Sequence, residues 1–126
     1  MHELSIASNI VEAAAAELQR LQPRPVRLIR AKVAVGEMRQ VVREHLEFAY
    51  ETLTRGTSTE GSTLEIRIVP LAGKCEDCGW TGEMSKTHFQ CAACGSRRAQ
   101  LVGGMELYLD ALEVEYDEPD GNPSIP

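Results

Sequence analysis

Cys75, Cys78, Cys91 and Cys94 are the only cysteines of the 126-residue chain, and they stand as two Cys-x-x-Cys pairs. Twelve residues separate the pairs, and a glycine follows each one, Gly79 and Gly95. This is the layout of a zinc ribbon, two tight knuckles that each give two thiolates to one tetrahedral ion. A knuckle turns so sharply that the residue after its second cysteine tends toward φ > 0, which glycine adopts at little cost. The spacer is slightly shorter than usual for such pairs, yet long enough for a short hairpin. The same residues could instead form two disulfides, a dithiol redox centre or a four-thiolate iron site. Nothing in the chain argues for an oxidising compartment, and paired knuckles with glycines favour metal over redox. Spacing alone does not separate iron from zinc, and structural Zn²⁺ is the expectation.

A second candidate lies at the start, Met1-His2-Glu3. The α-amine, the His2 amide nitrogen and the His2 imidazole can close adjacent chelate rings around one ion. Planar nitrogen donation of this kind suits Ni(II) or Cu(II). The amine titrates near about 7.7–8, so freeing its lone pair at neutral pH is easy. A bulky second residue keeps Met1 in place. The competing reading of His2 is chance placement. Two other histidines need placing. His45 lies beside the apolar stripe of a predicted helix and reads as a boundary residue. His88, three residues before Cys91, is either an alternative zinc ligand or, as favoured, an exposed hairpin residue.

The elements that must position these residues follow from periodicity. Residues 4–21 predict a helix, with Leu4, Ala7, Val11, Ala14, Leu18 and Leu21 in one stripe that Ile10 widens. Pro23 and Pro25 end it. Val26–Val35 alternates as a strand, with Ile29, Ala31, Val33 and Val35 inward. A second helix runs from about Val41 to Arg55, with Val42, Leu46, Ala49 and Leu53 on one face. Thr63–Pro70 predicts a second strand. Met105–Tyr116 predicts a third, in which a one-residue bulge near Ala111 would bring two leucine phases to one face. The expected fold is α+β: two helices on a three-stranded sheet, with a zinc-ribbon module inserted between the second and third strands, themselves taken as neighbours. The expected domains are 1–72 completed by the strand at 103–117, the ribbon at 73–102, and a disordered acidic tail at 118–126.

Composition bounds the function. Hydrophobic residues make up 43 % and the net charge is −6, enough for one modest core plus a metal-stapled module. The acidic balance opposes a nucleic-acid partner, although ribbons often serve one. No apolar run approaches about 18 residues and no signal peptide is read, so the cytoplasm is expected. No nucleophile, oxyanion donors or phosphate-cradling loop is visible, so no enzyme is predicted.

Several stretches together resemble the HypA/HybF family. They are M-H-E-L-S-I-A at the start, V-G-E at Val35–Glu37, L-E-F-A-Y-E at Leu46–Glu51, the Gly56–Thr57 loop, both C-x-x-C-G knuckles, and E-L-Y-L-D-A-L-E-V-E near the end. The similarity runs from Met1 to about Glu115. Members of that family are metallochaperones that help insert nickel into [NiFe]-hydrogenase, and in some organisms serve urease. The resemblance implies that Met1, His2 and Glu3 bind nickel as transient cargo, with His2 indispensable, and that Cys75, Cys78, Cys91 and Cys94 hold zinc. It also implies a GTPase partner, HypB, and the hydrogenase large-subunit precursor. A homodimer is left open, and the proline-bearing tail departs from the pattern. The rival readings are a zinc-ribbon nucleic-acid binder and a purely structural interaction module without nickel transfer.

Overall fold

The computed structural model describes residues 2–85 and 87–117. Met1 and the tail at 118–126 lie outside the described residues, and with them one expected nickel ligand and the expected disorder. The element order is α1 (His2–Arg20), β1 (Arg27–Gly36), a 3-10 turn (Glu37–Arg39), α2 (Arg43–Thr54), β2 (Thr63–Val69), β3 (Ala72–Cys75), β4 (Thr81–Glu83), β5 (Ala99–Gly103) and β6 (Leu107–Glu115). The strands make two three-stranded sheets, ordered β2-β1-β6 and β4-β3-β5.

The larger sheet corrects one expectation. β2 and β6 are not neighbours, because β1 lies between them. The reason is burial. The last four residues of β1, Val33–Gly36, are all buried, with no alternation. A strand covered on both faces belongs at the centre of a sheet, whereas alternation marks strands with one wet face. β6 alternates instead, and its alternation slips at Asp110–Ala111, where two exposed residues follow one another. Leu107, Leu109, Leu112 and Val114 are thereby all part-buried. The central place of β1 is also visible in its charges. Arg30 forms ion pairs with Glu65 of β2 and with Glu113 of β6, and Arg27 pairs with Glu115. Being largely exposed, these pairs mark register more than they add stability.

Both helices turn a slightly different face inward than the predicted stripes. α1 buries Ile6, Ala7, Ile10, Ala14 and Leu18, while Leu4 is 43 % exposed. α2 buries Leu46, Ala49, Tyr50 and Thr54, while Val42 is 43 % exposed. Each pattern is still helical in period. The shift drops Leu4, Val11 and Leu21 from the buried set and adds Ile6, and for α2 it drops Val42 and Leu53 and adds Tyr50 and Thr54. Tyr50 can be buried because its hydroxyl hydrogen-bonds Ser62 Oγ at 2.7 Å, so no polar atom is stranded.

The chain has two compact units. One comprises residues 2–33, 42–65 and 109–117 and carries both helices, which pack on each other. The other comprises 34–41 and 66–108 and carries all four cysteines. In the second unit the Val35–Glu37 stretch does structural work. The Glu37 carboxylate accepts the Leu71 N–H at 2.8 Å, and Arg39 Nε donates to the Met105 and Glu106 carbonyls. No helix among the described residues is long and apolar enough to cross a membrane.

Candidate metal centres

The four cysteines come together. Their Sγ atoms all lie within 4.8 Å of one another. Cys75 and Cys94 are 3.6 Å apart, as are Cys78 and Cys91. Four thiolates about 2.3 Å from a tetrahedral ion would sit about 3.8 Å apart, so the cage has the size and the soft donors that zinc takes.

The two knuckles are built alike. Cys75 Sγ accepts the amides of Asp77 and Cys78 at 3.4 Å. Cys91 Sγ accepts those of Ala93 and Cys94 at 3.3 and 3.4 Å. Each turn closes with a glycine amide on the first cysteine's carbonyl, Gly79 to Cys75 at 3.0 Å and Gly95 to Cys91 at 2.9 Å. Gly79 has φ +84° and Gly95 has φ +78°, the conformation expected from the sequence and one that a side chain opposes. β3 leads into the first knuckle, pairing with β4 through Gly73↔Gly82 and with β5 through Cys75↔Ala99. Across the knuckles, Asp77 pairs with Arg98 at 3.1 Å and accepts the Ser96 hydroxyl.

The thiols differ in their readiness to ionise. Amide donation from Cys78, then from Asp77, holds Cys75 down to about 6 against burial. Burial raises Cys91, but the Cys94 and Ala93 amides outweigh it, and the net shift is downward. The Trp80 amide lowers Cys78, yet its Cys91 contact, burial and Cys75 carry it upward. The Ser96 amide lowers Cys94, while Cys75, burial, Cys78 and Cys91 push it up to about 12. Without a cation, packed thiolates repel one another, so the two buried thiols are shifted downward and the two exposed ones upward. A divalent ion reverses that balance and displaces the remaining protons. His88 is not part of the cage. It is exposed, and its Nδ1 lies 3.1 Å from Thr87 Oγ1.

His2 and Glu3 stand in the first turn of α1, which begins two residues earlier than predicted. As the first helical residue, His2 has an N–H outside the helix's own hydrogen-bond ladder. A metal that deprotonates this amide therefore breaks no bond of the helix. Glu3 has a role the sequence did not suggest. Its Oε2 accepts the N–H of Val42 at 2.9 Å, and Val42 is the N-cap of α2. The Val42 amide is the main cause that holds the Glu3 carboxyl below its ordinary 4.5, burial opposes it, and the His2 and His45 imidazoles help lower it. Glu3 thus sits where two helix N-termini meet. Their dipoles favour the carboxylate and disfavour a bare cation. His45, which the sequence placed at a boundary, lines one groove with Glu3, Leu4, Phe48, Ala49 and Thr52.

Comparisons with known proteins place the chain among relatives. The family described as "Hydrogenase/urease nickel incorporation, metallochaperone, hypA" matches residues 1–114. The hydrogenase maturation factor HypA of Roseiflexus sp. (strain RS-1) is 37 % identical over 125 residues, covering 98 % of this chain and 100 % of that protein. The factor of the same name from Geobacter sulfurreducens is 37 % identical over 116 residues, covering 91 % of this chain and 100 % of that one. The solution structure of the Ni metallochaperone HypA from Helicobacter pylori superposes with a TM-score of 0.67 at 22 % identity, covering 93 % of this chain and 100 % of that one. That likeness speaks for the fold.

Proposed function

Since this chain belongs to the HypA family of nickel-incorporation metallochaperones, we propose that it carries Ni(II) on Met1, His2 and Glu3 for delivery to [NiFe]-hydrogenase. The observation that carries this reading is where the family match begins. It starts at residue 1, so Met1, His2 and Glu3 fall within the matched residues. The chelate needs the α-amine, the His2 amide and the His2 imidazole, and these belong to two consecutive residues at the chain's end. Such a site draws little from a rigid core, so a partner can displace its donors one at a time. The two converging helix N-termini weaken the hold on a cation, and Glu3 offsets part of that. Binding that is adequate but releasable suits a carrier, and no catalytic step is proposed.

Zn²⁺ is the proposed resident metal of Cys75, Cys78, Cys91 and Cys94. The donor set and spacing support it, and its task is structural. Nickel handling is assigned to 1–72 with 103–117. Zinc binding is assigned to 73–102, which lies within the compact unit of 34–41 and 66–108. The expected partners are the HypB GTPase and the hydrogenase large-subunit precursor, in the cytoplasm.

Nickel titration of the untagged, zinc-loaded chain tests the reading. One nickel per chain is expected, lost in His2→Ala with zinc content unchanged. X-ray absorption showing nickel bound mainly to sulfur would place it in the knuckles and overturn the assignment.

A further inference from the structure

Each knuckle of the ribbon presents one buried and one exposed cysteine. Cys75 and Cys91 are buried, while Cys78 and Cys94 are exposed. Exposed Cys78 has the buried Cys91 of the other knuckle at 3.6 Å, and exposed Cys94 has the buried Cys75 at the same distance. Each sulfur that solvent reaches therefore has a sulfur neighbour in the opposite knuckle. Bonds that need no metal also join the knuckles. The Glu76 N–H donates to the Arg98 carbonyl at 2.7 Å. Arg98 Nε pairs with the Asp77 carboxylate at 3.1 Å, which also accepts the Ser96 hydroxyl. β3 and β5 continue the link through Cys75↔Ala99. These bonds hold the sulfurs face to face while an ion is lost. A thiolate is a nucleophile toward peroxides. The sulfenic acid it forms condenses with a thiol within reach instead of oxidising further.

We infer that the cage is also an oxidation site, at which a hydroperoxide converts the four thiolates into two cross-knuckle disulfides, Cys78–Cys91 and Cys75–Cys94. This rests on the zinc reading above. With hydrogen peroxide, the Cys78 thiolate attacks one oxygen, the O–O bond breaks, and hydroxide leaves, giving Cys78 sulfenic acid. The Cys91 thiolate then attacks that sulfur, forms the S–S bond and expels a second hydroxide. Two protons from solvent turn the hydroxides into water. One peroxide is thus reduced to two waters while two thiolates lose two electrons. Cys94 and Cys75 repeat the sequence with a second peroxide. Disulfide sulfur is not a thiolate donor, so the zinc is given up. The pairing is nested, Cys78–Cys91 inside Cys75–Cys94, and both bridges tie the two knuckles that the ion tied. The ribbon exchanges one staple for another and stays closed. Pairing within each knuckle, Cys75 with Cys78 and Cys91 with Cys94, would leave the knuckles unjoined.

The test adds hydrogen peroxide to the zinc-loaded full chain. A coloured chelator reads released zinc. Digestion between Glu76 and Asp77 and between Ala92 and Ala93, followed by mass spectrometry without reduction, reads the pairing. One zinc per chain should leave with the formation of Cys78–Cys91 and Cys75–Cys94. The oxidised ribbon should be cut by protease at least about tenfold more slowly than the reduced ribbon stripped by chelator. Dithiothreitol with added zinc should restore four thiols and the metal. Disulfides within the knuckles would overturn the proposal, as would accumulation of sulfinic acid. Four intact thiols under excess peroxide would overturn it too, and so would an oxidised ribbon cut as fast as the stripped one. An untreated chain without zinc would remove the zinc assignment instead, and the disulfide map would still decide the pairing.

Discussion

The Glu3 carboxylate accepts the Val42 backbone N–H at 2.9 Å, joining the start of α1 to the start of α2 across 39 positions of sequence. The residue expected only as a nickel ligand is thus also a helix cap. In the proposed reading, nickel binding and helix capping therefore share this residue.

The charge on Glu3 should contribute to stability in a definite pH window. Its folded-state carboxyl is lowered below the ordinary 4.5, chiefly by the Val42 amide. A depressed carboxyl stabilises the fold above its unfolded value, and the contribution fades as pH falls through the folded value. Glu3→Gln keeps an acceptor for Val42 but loses the charge at the helix N-terminus. The variant should melt below the native chain at pH 7, and the gap should close as pH drops below about 4.5. A gap that is constant with pH would mean the carboxylate charge plays no part.

Removing a knuckle thiolate should undo the ribbon and spare the helices. Zinc–thiolate formation is worth roughly 10–16 kcal/mol apparent in small peptides, beyond what a ribbon with four-, three- and five-residue strands supplies by packing. Cys75→Ala should lose zinc and expose residues 73–102 to protease. The far-UV helical signal, which comes from α1 and α2, should largely remain. Full zinc content in that variant would contradict the four-cysteine assignment.

Tyr50 offers a test of the packing that fixes α2. Its hydroxyl bonds Ser62 Oγ, and that oxygen in turn donates to the Thr59 carbonyl at 2.6 Å. Tyr50→Phe removes the first bond inside a site that is 1 % exposed. Urea unfolding should show a loss of about 1 kcal/mol, with nickel and zinc stoichiometry unchanged. No loss would mean the hydroxyl pair is neutral to folding.

What the sequence made legible was local. The knuckles were readable because two residues between cysteines and a glycine after them specify a turn on their own, and Gly79 and Gly95 have the expected positive φ. Helix and strand positions followed from periodicity, with ends off by a few residues. Long-range relations were not legible. The central place of β1 depends on burial from both sides, and one strand's pattern gives only a hint of it, here the unbroken burial of Val33–Gly36. The inward faces of α1 and α2 were off because Leu4 and Val42 look as apolar as Ile6 and Tyr50, and only tertiary contacts decide which is covered. The Glu3–Val42 bond joins parts of the chain 39 positions apart, for which no local spacing exists.

The most direct measurement of the central claim is calorimetric nickel titration of the native chain beside one carrying Gly-Ser before Met1, in one buffer. The extension turns the α-amine into an amide, whose lone pair is delocalised and whose proton is far harder to remove than that of an amine titrating near about 8. The imidazole of His2, Glu3 and the four cysteines are untouched. The extended protein should bind nickel at least about tenfold more weakly, about 1.4 kcal/mol, with its zinc intact. Equal affinities would contradict the account, since the α-amine would then not be a ligand and His2 would have to work with side chains elsewhere in the fold.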